Sequence, residues 1–551
     1  MKDVNMTKRG RNLISCTALG LVLAMIAVIH SPPVDGANIL GVFTSHSPSH
    51  LIIHMSVMKA LAEDGHNVTV VSSLPPKVTH KSIKHIVIPM SESDEKTLND
   101  GMSVLAKEKP SMITTMKTMF GSLQLLINKQ VDVLDDERFT ELYRNKGNKF
   151  DAVVVGFFFN MYQVGLGAKF NCPLIVSWSG PPMEQIDAVI GNPILTASVP
   201  TMNVAVQLGQ VMNFKQRLTN FFATISFRAL GYYLEYKNAG FYERLFGNDP
   251  SMISYEQAKK NVSVVFCNSH SISEGPIRPN VPGVVEVGGI QIKNKPDPLP
   301  EDIKEFLDNS KHGAILFSLG SNLKGDHIKP EAIDKIFKTL SGLKQNVIWK
   351  WDDLKNTPGK SANILYKKWL PQDDILAHPQ IKLFITHAGK GGVAESQYHA
   401  VPMLALPVFA DQPGNADKLV QSGYGIRLDL ITLKTDELKA AIKELLQNPS
   451  YANKLQKFSK LYRDRPMTAR DLVIYWTNYV LRHHGAAHMQ SPLVHMNSIE
   501  SSNVDLYVLL AVVLSIVLMI NIVLFKFICR KCCGSKRCSK KNTQKTKVKK
   551  N

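Results

Sequence analysis

A stretch in the second half of the chain, from Trp369 to Gln412, concentrates residue types that could hold a phosphorylated ligand. Its central run, His387-Ala388-Gly389-Lys390-Gly391-Gly392, follows an apolar segment that is typical of a buried strand. Glycine lets a backbone approach a ligand closely, and the N–H groups at the start of a helix favour an anion such as a diphosphate. His387 would add a hydrogen-bond donor to the same group.

Side chains on either side of this run have the chemistry to bind the rest of such a ligand. Trp369 offers a flat face for stacking, and Glu395, inside the following helix, offers a carboxylate for paired hydroxyls. Asp411 and Gln412 stand at the end of another predicted strand and offer acceptors and donors for a sugar. A glycine-rich loop alone is a weak indication of a site. The ordered set of groups over 44 residues is what indicates one here.

Three histidines near the N-terminus, His46, His50 and His54, are spaced four residues apart. A metal site on one helix face is not expected, because Pro48 and Ser49 interrupt the helical pattern between the first two. Imidazole titrates near neutral pH and can take a proton from an attacking hydroxyl. His50, directly after the predicted N-cap Ser49, is a candidate for that role. His46 is its rival, and His54 is expected on the helix flank.

The elements that would position these groups alternate between β-rich runs and helical patterns. In the first half one helix carries Leu51, Met55, Met58 and Ala62 on one face and ends at Gly65. Near-continuous apolar strands separated by helices predict a parallel sheet covered on both faces. The strands predicted here are Asn38–Phe43, Asn67–Ser72, His85–Pro89, Asp151–Phe157, Leu174–Ser177 and Ser263–Asn268.

The second half repeats this pattern after a proline-rich linker, Lys293–Glu301. Two doubly wound domains that face each other would place a cleft at the carboxyl ends of both sheets, where ligands bind in such folds. A last helical segment, Asp464–His484, could pack against either domain. The strands predicted in this half are Ala314–Leu319, Val347–Trp351, Ile364–Tyr366, Leu383–Thr386 and Met403–Phe409.

The chain has 551 residues, which is more than one core usually supports, so at least two domains are expected. Its net charge of +19 is unevenly spread, because the last 26 residues hold 11 Lys or Arg and no Asp or Glu. The body is therefore only mildly basic, which argues against nucleic acid as a partner. Of the seven cysteines, only Cys172 and Cys267 lie in the body, and the sequence leaves open whether they pair.

Two apolar segments predict the compartment. Residues 1–36 have a basic start, an apolar run and a small-residue cleavage site, as in a secretory signal peptide, with an uncleaved anchor as the alternative. Residues 504–525 are long and apolar enough for one transmembrane helix, and the basic residues that follow predict a cytosolic tail at 526–551. Lysines third and fifth from the end resemble an endoplasmic-reticulum retrieval signal. We therefore expect a single-pass type I protein of the endoplasmic reticulum membrane with a lumenal body.

The stretch Trp369–Gln412 resembles the signature of the UDP-glycosyltransferases, the family that includes the UDP-glucuronosyltransferases. The resemblance extends from Asn38 to about Gly485, and Lys390-Gly391-Gly392 resembles the invertebrate pattern. It implies an α/β fold of two facing Rossmann-like domains, the GT-B type, with an acceptor-binding domain at 37–287 and a UDP-sugar-binding domain at 288–485. Residues 486–503 would form the juxtamembrane segment before the C-terminal transmembrane helix.

The resemblance also implies a role for each residue that matches a family motif. His50 would be the general base, since His66 in Asp64-Gly65-His66 falls at the expected distance downstream. In the UDP-sugar site that the resemblance implies, Trp369 would stack on uracil, Gln372 would contact the nucleoside and Glu395 would bind the ribose. The diphosphate would be held by Ser321, His387, Gly389 and Gly392. The sugar would be bound by Asp411 and Gln412.

The implied reaction is inverting transfer of glucose or glucuronic acid from a UDP-sugar to a hydroxyl of a small lipophilic acceptor, as in detoxification. The UDP-sugar is a co-substrate, and no further cofactor and no metal are expected. Family members often have Asp where this chain has Gly156, and many have Asn where it has Gly391. The alternative is therefore a catalytically weak or inactive UDP-sugar-binding or regulatory membrane protein. The sequence leaves the donor, the acceptor and a homo-oligomer open, and the sequons at Asn67 and Asn261 predict a glycoprotein with partial occupancy at best.

Two remaining patterns carry weaker expectations. The acidic pairs Asp352-Asp353 and Asp373-Asp374 are expected to be solvated rather than to bind metal. A helical stripe of methionine and leucine is expected mainly as core, with an adaptable lipophilic pocket as the alternative. This stripe is Met112, Met116, Met119, Leu123 and Leu126.

Overall fold

The computed structural model describes residues 36–107, 111–145, 147–201, 204–206, 209–273, 277–321 and 323–538. The predicted signal peptide, apart from Gly36, and the end of the basic tail lie outside these residues. The described residues up to Ser491 form one compact unit, and those from Pro492 onward form a second.

The first half of the chain forms a seven-stranded sheet in which all neighbouring strands are parallel. The strands are β1 (Asn38–Phe43), β2 (Asn67–Ser72), β3 (Ile83–Val87), β4 (Ala152–Gly156), β5 (Leu174–Trp178), β6 (Val262–Cys267) and β7 (Val284–Glu286), in the order β3-β2-β1-β4-β5-β6-β7. The six predicted strands are present within two residues of their expected ends. The prediction missed β7, because three residues are too short to show a pattern.

Helices cover both faces of this sheet. They are α1 (Pro48–Glu63), α2 (Glu92–Lys107), α3 (Met112–Asp135), α4 (Glu137–Arg144), α5 (Gly165–Phe170), α6 (Glu184–Ile190), α7 (Phe214–Phe246) and α8 (Tyr255–Lys259). The N-cap of α1 is Ser47 and not the expected Ser49. Proline fits the first turn, where its missing N–H has no partner to lose, so Pro48 starts this helix instead of interrupting it. The predicted apolar face of α1 is buried.

The second half forms a six-stranded parallel sheet. Its strands are β8 (Ala314–Ser318), β9 (Asn346–Lys350), β10 (Ile364–Lys367), β11 (Ile381–Thr386), β12 (Met403–Ala405) and β13 (Gly425–Arg427), in the order β10-β9-β8-β11-β12-β13. The strand predicted at Met403–Phe409 ends at Ala405, and β13 was not predicted. Beyond Ala405, the side chain of Gln412 bonds the backbone of Val408 and Phe409, so these residues form a loop.

The helices of the second half are α9 (Glu301–Asp308), α10 (Pro330–Ser341), α11 (Gln372–Leu376), α12 (Lys390–His399), α13 (Gln412–Ser422), α14 (Thr435–Gln447), α15 (Ser450–Arg463) and α16 (Ala469–Arg482). The last of these returns to the first sheet, since Val473 and Val480 share one apolar core with Ile39 and Val264. The predicted domain limits, 37–287 and 288–485, stay predictions.

The second unit is helical. It contains α17 (Ser498–Ser501) and α18 (Val504–Cys538). Among the described residues, Val504–Cys532 is the one helical stretch long and apolar enough to cross a membrane. It contains the predicted span 504–525 and extends beyond it.

Two methionines of the predicted stripe on α3 are not core. Met116 is 61% exposed and Met119 is 43% exposed. The helix buries its C-terminal half instead, at Ile127, Val131 and Leu134. The expectation failed because a helical stripe shows only that one face is apolar, and not that another element covers it.

Candidate active site

The second sheet changes direction between β8 and β11. Strands β9 and β10 extend the sheet to one side of β8, and β11, β12 and β13 extend it to the other. The loops after β8 and β11 leave the sheet in opposite directions, which opens a crevice at their carboxyl ends. Leu319–Ser321 and His387–Gly389 form these two loops, so the structure brings together the predicted residues Ser321, His387 and Gly389.

His387 lies between glycines of the two loops. A Cβ added to Gly320, whose φ is +82°, would lie 2.6 Å from His387 Nε2, and a Cβ on Gly389 would also collide with that ring. Only glycine leaves room for the imidazole at these positions. Burial, and then the charge of Lys350, lower the pKa of His387 to about 4. The ring is therefore neutral at physiological pH and can donate one N–H to an anion.

The start of α12 offers further donors. Gly389 is its N-cap, and no side chain caps the first turn. The N–H groups of this turn and the helix dipole favour a negative group next to His387. A Cβ on Gly392 would lie 3.3 Å from Gln372 Nε2 and from the Phe384 ring, so glycine permits close packing there. This arrangement can hold a diphosphate.

Gln372 of α11 and Glu395 of α12 are in contact. Gln372 Nε2 donates to Glu395 Oε2 at 2.6 Å. Glu395 is only 8% exposed. Burial, and then the neighbouring charge of Asp373, raise the pKa of Glu395 to about 8. The carboxyl group is thus largely protonated at neutral pH when nothing is bound, and hydroxyl donors would favour its ionised form.

Trp369 follows β10 and is 41% exposed, so a face of the indole is accessible for stacking. Lys77, which follows β2 of the first sheet, places its Nζ 5.3 Å from the centre of that ring. The carboxyl ends of the two sheets therefore face each other at this point. The predicted cleft between two doubly wound halves is present within the first unit.

Asp411 and Gln412 begin α13 in the loop after β12. Asn415 Nδ2 donates to Asp411 Oδ2 at 2.6 Å and to the Ala388 carbonyl at 3.0 Å, which joins this loop to the His387 loop. Gln412 Oε1 accepts from the backbone N–H groups of Val408 and Phe409. The side-chain oxygen of Gln412 thus has a structural role, and its side-chain nitrogen, Nε2, is the group that remains to bind a ligand.

The pair Asp373-Asp374 is buried and not solvated as expected. Asp373 Oδ1 contacts His399 Nε2 at 2.6 Å, and Asp374 Oδ2 accepts from Lys293 Nζ at 2.6 Å. The charges are compensated by cationic and N–H groups of the linker and of α12, which is why burial is tolerated. Among the described residues no cluster of metal-ligating side chains is present, at this pair or elsewhere.

Sequence reasoning missed two lysines in the cleft. Lys390 and Lys418 line a pocket whose other side is formed by Asn268–Ser273 and Gly288, which follow β6 and β7. Burial, and then the charge of Lys418, lower the pKa of Lys390 to about 7. The signal in the sequence is a lysine inside a run of glycines at the start of a helix.

His50 lies in the first turn of α1, at the carboxyl end of β1. The rings of Phe158 and Trp178 contact it edge-on, with centroids 5.2 and 6.1 Å away. Its Nδ1 is buried and has no hydrogen-bond partner in the described part of the chain. Burial lowers the pKa of His50 to about 4, so the ring is neutral and able to accept a proton. This apolar enclosure contains the candidate base at the edge of the first sheet that faces the second.

His54 occupies the space next to Gly156. Its Nδ1 lies 2.9 Å from Ser177 Oγ, and its ring stacks on Phe43 with centroids 5.0 Å apart. A Cβ on Gly156 would lie 2.9 Å from His54 Nε2 and from Phe43 Cδ1. A side chain at position 156 and the present His54 therefore exclude each other. His54 is fully buried, and the expectation of a flank position was wrong.

The other histidines have different surroundings. His46 precedes α1, and burial lowers its pKa while Glu95 opposes this. His66 accepts from the Ala37 N–H at 3.1 Å and contacts Asn478 Oδ1 of α16 at 3.1 Å, so its role is structural. Cys172 and Cys267 are both free thiols.

The matches to known proteins agree with this geometry. A family model described as "UDP-glucoronosyl and UDP-glucosyl transferase" matches residues 39–540. The chain belongs to this family. It is 31% identical over 482 residues to a UDP-glucosyltransferase of Dactylopius coccus, covering 86% of this chain and 89% of that one. A UDP-glucuronosyltransferase of Rattus norvegicus is 28% identical over 502 residues, covering 88% of this chain and 92% of that one.

Solved structures support the fold. A UDP-glucosyltransferase from Polygonum tinctorium has a TM-score of 0.52 at 17% identity and covers 82% of this chain and 99% of that one. The spinosyn forosaminyltransferase SpnP has a TM-score of 0.52 at 14% identity, with 81% of this chain and all of that one covered. As a member of the family, the chain is a UDP-glycosyltransferase with two parallel sheets in the GT-B arrangement. It transfers a sugar from a UDP-sugar to an acceptor.

Proposed function

We propose that the enzyme transfers glucose or glucuronic acid from the UDP-sugar to a hydroxyl group of a small lipophilic acceptor, with inversion at the anomeric carbon. His50 is the general base. The proposal rests chiefly on the apolar enclosure of a neutral His50 at the sheet edge that faces the His387 crevice. A neutral imidazole in that place can accept a proton, and the aromatic rings around it suit an apolar acceptor.

The chemical step balances without a further cofactor. The acceptor oxygen attacks the anomeric carbon, its proton moves to His50, and the bond from that carbon to the β-phosphate oxygen breaks. The negative charge that develops on the diphosphate is stabilised by the N–H groups of the first turn of α12 and by His387. Trp369 stacks on uracil, Gln372 and Glu395 bind the nucleoside, Ser321 with Gly389 and Gly392 contacts the phosphates, and Asp411 with Gln412 binds the sugar.

We also propose the compartment. The helix α18 anchors the enzyme in the endoplasmic reticulum membrane as a single-pass type I protein, with the body lumenal and the tail cytosolic. The basic residues after the apolar stretch and the lysines near the C-terminus support this orientation and address. Asn67 and Asn261 are both exposed, which supports glycosylation of these side chains in the lumen.

The test uses the full chain in membranes with UDP-glucose or UDP-glucuronate and a phenolic acceptor. Release of UDP and a product of inverted anomeric configuration are expected with one of the two donors. His50→Ala should lower kcat by roughly 10²–10⁴-fold, as loss of a general base does. His312→Ala, at an exposed histidine far along the chain, is the matched control and should leave kcat unchanged. Full activity in His50→Ala would exclude His50 as the general base. If His46→Ala lost activity to this extent and His50→Ala did not, the base would be His46.

The second candidate function is a UDP-sugar-binding protein with weak or no catalysis. Two observations favour it. Gly156 offers no carboxylate to orient His50, and His50 Nδ1 lacks a partner among the described residues. Calorimetric binding of UDP without turnover over a panel of alcohols and phenols would support this candidate. Turnover that depends on His50 would exclude it.

A further inference from the structure

The long helix α7 carries an exposed apolar stripe. Its members fall within about 100° of an ideal helix circumference, the width expected of a buried face. Phe222, near the middle of the stripe, is 59% exposed. The members are Phe214, Leu218, Phe221, Phe222, Ile225, Tyr232 and Tyr236.

The opposite face of the same helix is buried and includes polar side chains beside the apolar Leu234 and Phe246. Asn220 Nδ2 donates to the carbonyls of Thr196 and Val199, each at 2.8 Å, and its Oδ1 accepts from the Thr201 N–H at 2.6 Å. All of its hydrogen-bonding groups are therefore used inside the protein. One turn later, Thr224 is also buried. The usual arrangement of a surface helix is inverted along this part of α7.

These polar contacts fix the rotation of the helix about its axis. Asn238 repeats the pattern, because its Oδ1 accepts from the Tyr162 N–H at 3.0 Å and its Nδ2 donates to the Phe159 carbonyl at 3.2 Å. Turning the stripe inward would break these buried bonds, at about 1–3 kcal/mol for each group left unsatisfied. The aromatic residues are thus held outward by the fold.

The stripe continues onto α3. The ring of Phe120 lies 5.5 Å from the ring of Tyr233, which joins the two helices at their surfaces. The first turns of α3 are exposed as well, at Ile113, Met116 and Met119. We call the stripe of α7 together with Ile113, Met116, Met119 and Phe120 the apolar surface. Exposed apolar surfaces of this extent mark interaction sites.

The charges beside the apolar surface are mainly basic. From Phe214 to Tyr236 the sequence contains three basic residues and one acidic residue, Glu235, which is paired with Lys259. Arg228 is paired with Glu184, whereas Lys215 and Arg217 are exposed beside the stripe. On α3, Lys117 is exposed among the methionines. Aromatic and aliphatic groups bordered by lysine and arginine match a membrane surface with anionic lipids.

We propose that the apolar surface rests on a lipid bilayer, with its aromatic and aliphatic side chains at the acyl boundary and its basic residues at anionic head groups. The chain itself supplies a reason for lipid as the partner, because Val504–Cys532 is long and apolar enough to anchor it in a membrane. An anchored body meets the bilayer at high effective concentration. Contacts of this kind need only modest affinity to persist.

The test labels the full-length protein in vesicles that contain a lipid with a photoactivatable acyl chain. Trypsin releases Leu218–Arg228, which holds the centre of the stripe, and Leu419–Arg427, which holds the single exposed Val420 as a comparison. We expect several-fold more labelling of the first peptide, and more in vesicles with phosphatidylserine than in phosphatidylcholine alone. Peptides from Val504–Cys532 report in each sample whether the anchor is in the bilayer.

The variant F221S/F222S/I225S should lose most of the labelling at residues 218–228 and keep that of the anchor. The matched control L354S/V420S/L461S removes three exposed apolar side chains elsewhere and should change neither. Equal labelling of the two tryptic peptides while the anchor is labelled would overturn the proposal. So would a homodimer in detergent that the stripe variant dissociates and the control variant does not, since the occupant would then be a second copy.

Discussion

At the scale of single residues, burial sets the protonation state of the groups proposed to bind UDP. Glu395 has a pKa raised to about 8 by burial and by Asp373, whereas His387 has a pKa lowered to about 4. The first group therefore has to lose a proton before it can accept hydrogen bonds as a carboxylate. The second is already neutral, so its donor is ready over the whole physiological range.

UDP affinity is accordingly expected to rise with pH up to about 8. Ribose hydroxyls favour ionised Glu395, so binding below the free pKa of about 8 releases a proton, and the dissociation constant falls by up to about tenfold per pH unit. Above that pKa the dependence levels off. Calorimetry with UDP in buffers of different ionisation enthalpy measures both the affinity and the proton release.

Glu395→Gln should bind UDP more weakly at pH 9 and lose this pH dependence, which also separates it from the titration of UDP itself. Glu437→Gln, at an exposed carboxylate of α14, is the control and should behave like the natural chain. The same slope in Glu395→Gln would show that another group titrates.

At the scale of elements, helix α1 and strand β4 approach each other through Gly156. Gly156→Asp should lower the free energy of unfolding by about 1–3 kcal/mol, because the new side chain overlaps His54 and Phe43. His54→Ala also destabilises alone, through a cavity. The double variant His54→Ala/Gly156→Asp should cost at least about 1 kcal/mol less than the sum, since the space that one substitution vacates accepts the other.

Thermal and denaturant unfolding of the full chain in detergent measure this cycle. Gly391→Ala is a matched glycine control, because the nearest atom to its added Cβ, Gln291 Nε2, is 3.9 Å away. Strict additivity of the two substitutions would mean that His54 moves aside at no cost.

Elements that repeat along the sequence were predictable, and contacts between distant elements were not. Apolar runs such as Asn38–Phe43 and Asn67–Ser72 identify their strands to the residue, because both faces of a parallel sheet are buried. The glycine run after β11 equally indicates the start of a helix. His54 fills the space beside Gly156, which lies 102 residues further along the chain, and no local sequence pattern predicts such a contact. The return of α16 to the first sheet is also a contact between distant parts of the chain, which no local pattern predicts.

At the scale of the whole molecule, the apolar surface and the cleft are neighbours. Met212, just before α7, packs with Val204 and Val206, and Val206 lines the pocket that contains Lys390. The N-terminal end of the stripe therefore lies beside the cleft. If the surface rests on lipid, a lipophilic acceptor dissolved in the bilayer has a short path to the active site.

The variant F221S/F222S/I225S should then raise the apparent KM for a membrane-partitioned phenol several-fold when the full chain is assayed in vesicles. The KM for the UDP-sugar, the KM for a water-soluble phenol and kcat should stay unchanged, since none of the three residues lines the pocket that contains Lys390. The control L354S/V420S/L461S should leave all four constants unchanged. An equal rise in KM for both phenols would indicate that the substitutions disturb the cleft itself. That result would contradict delivery of the acceptor from the bilayer without contradicting the lipid contact.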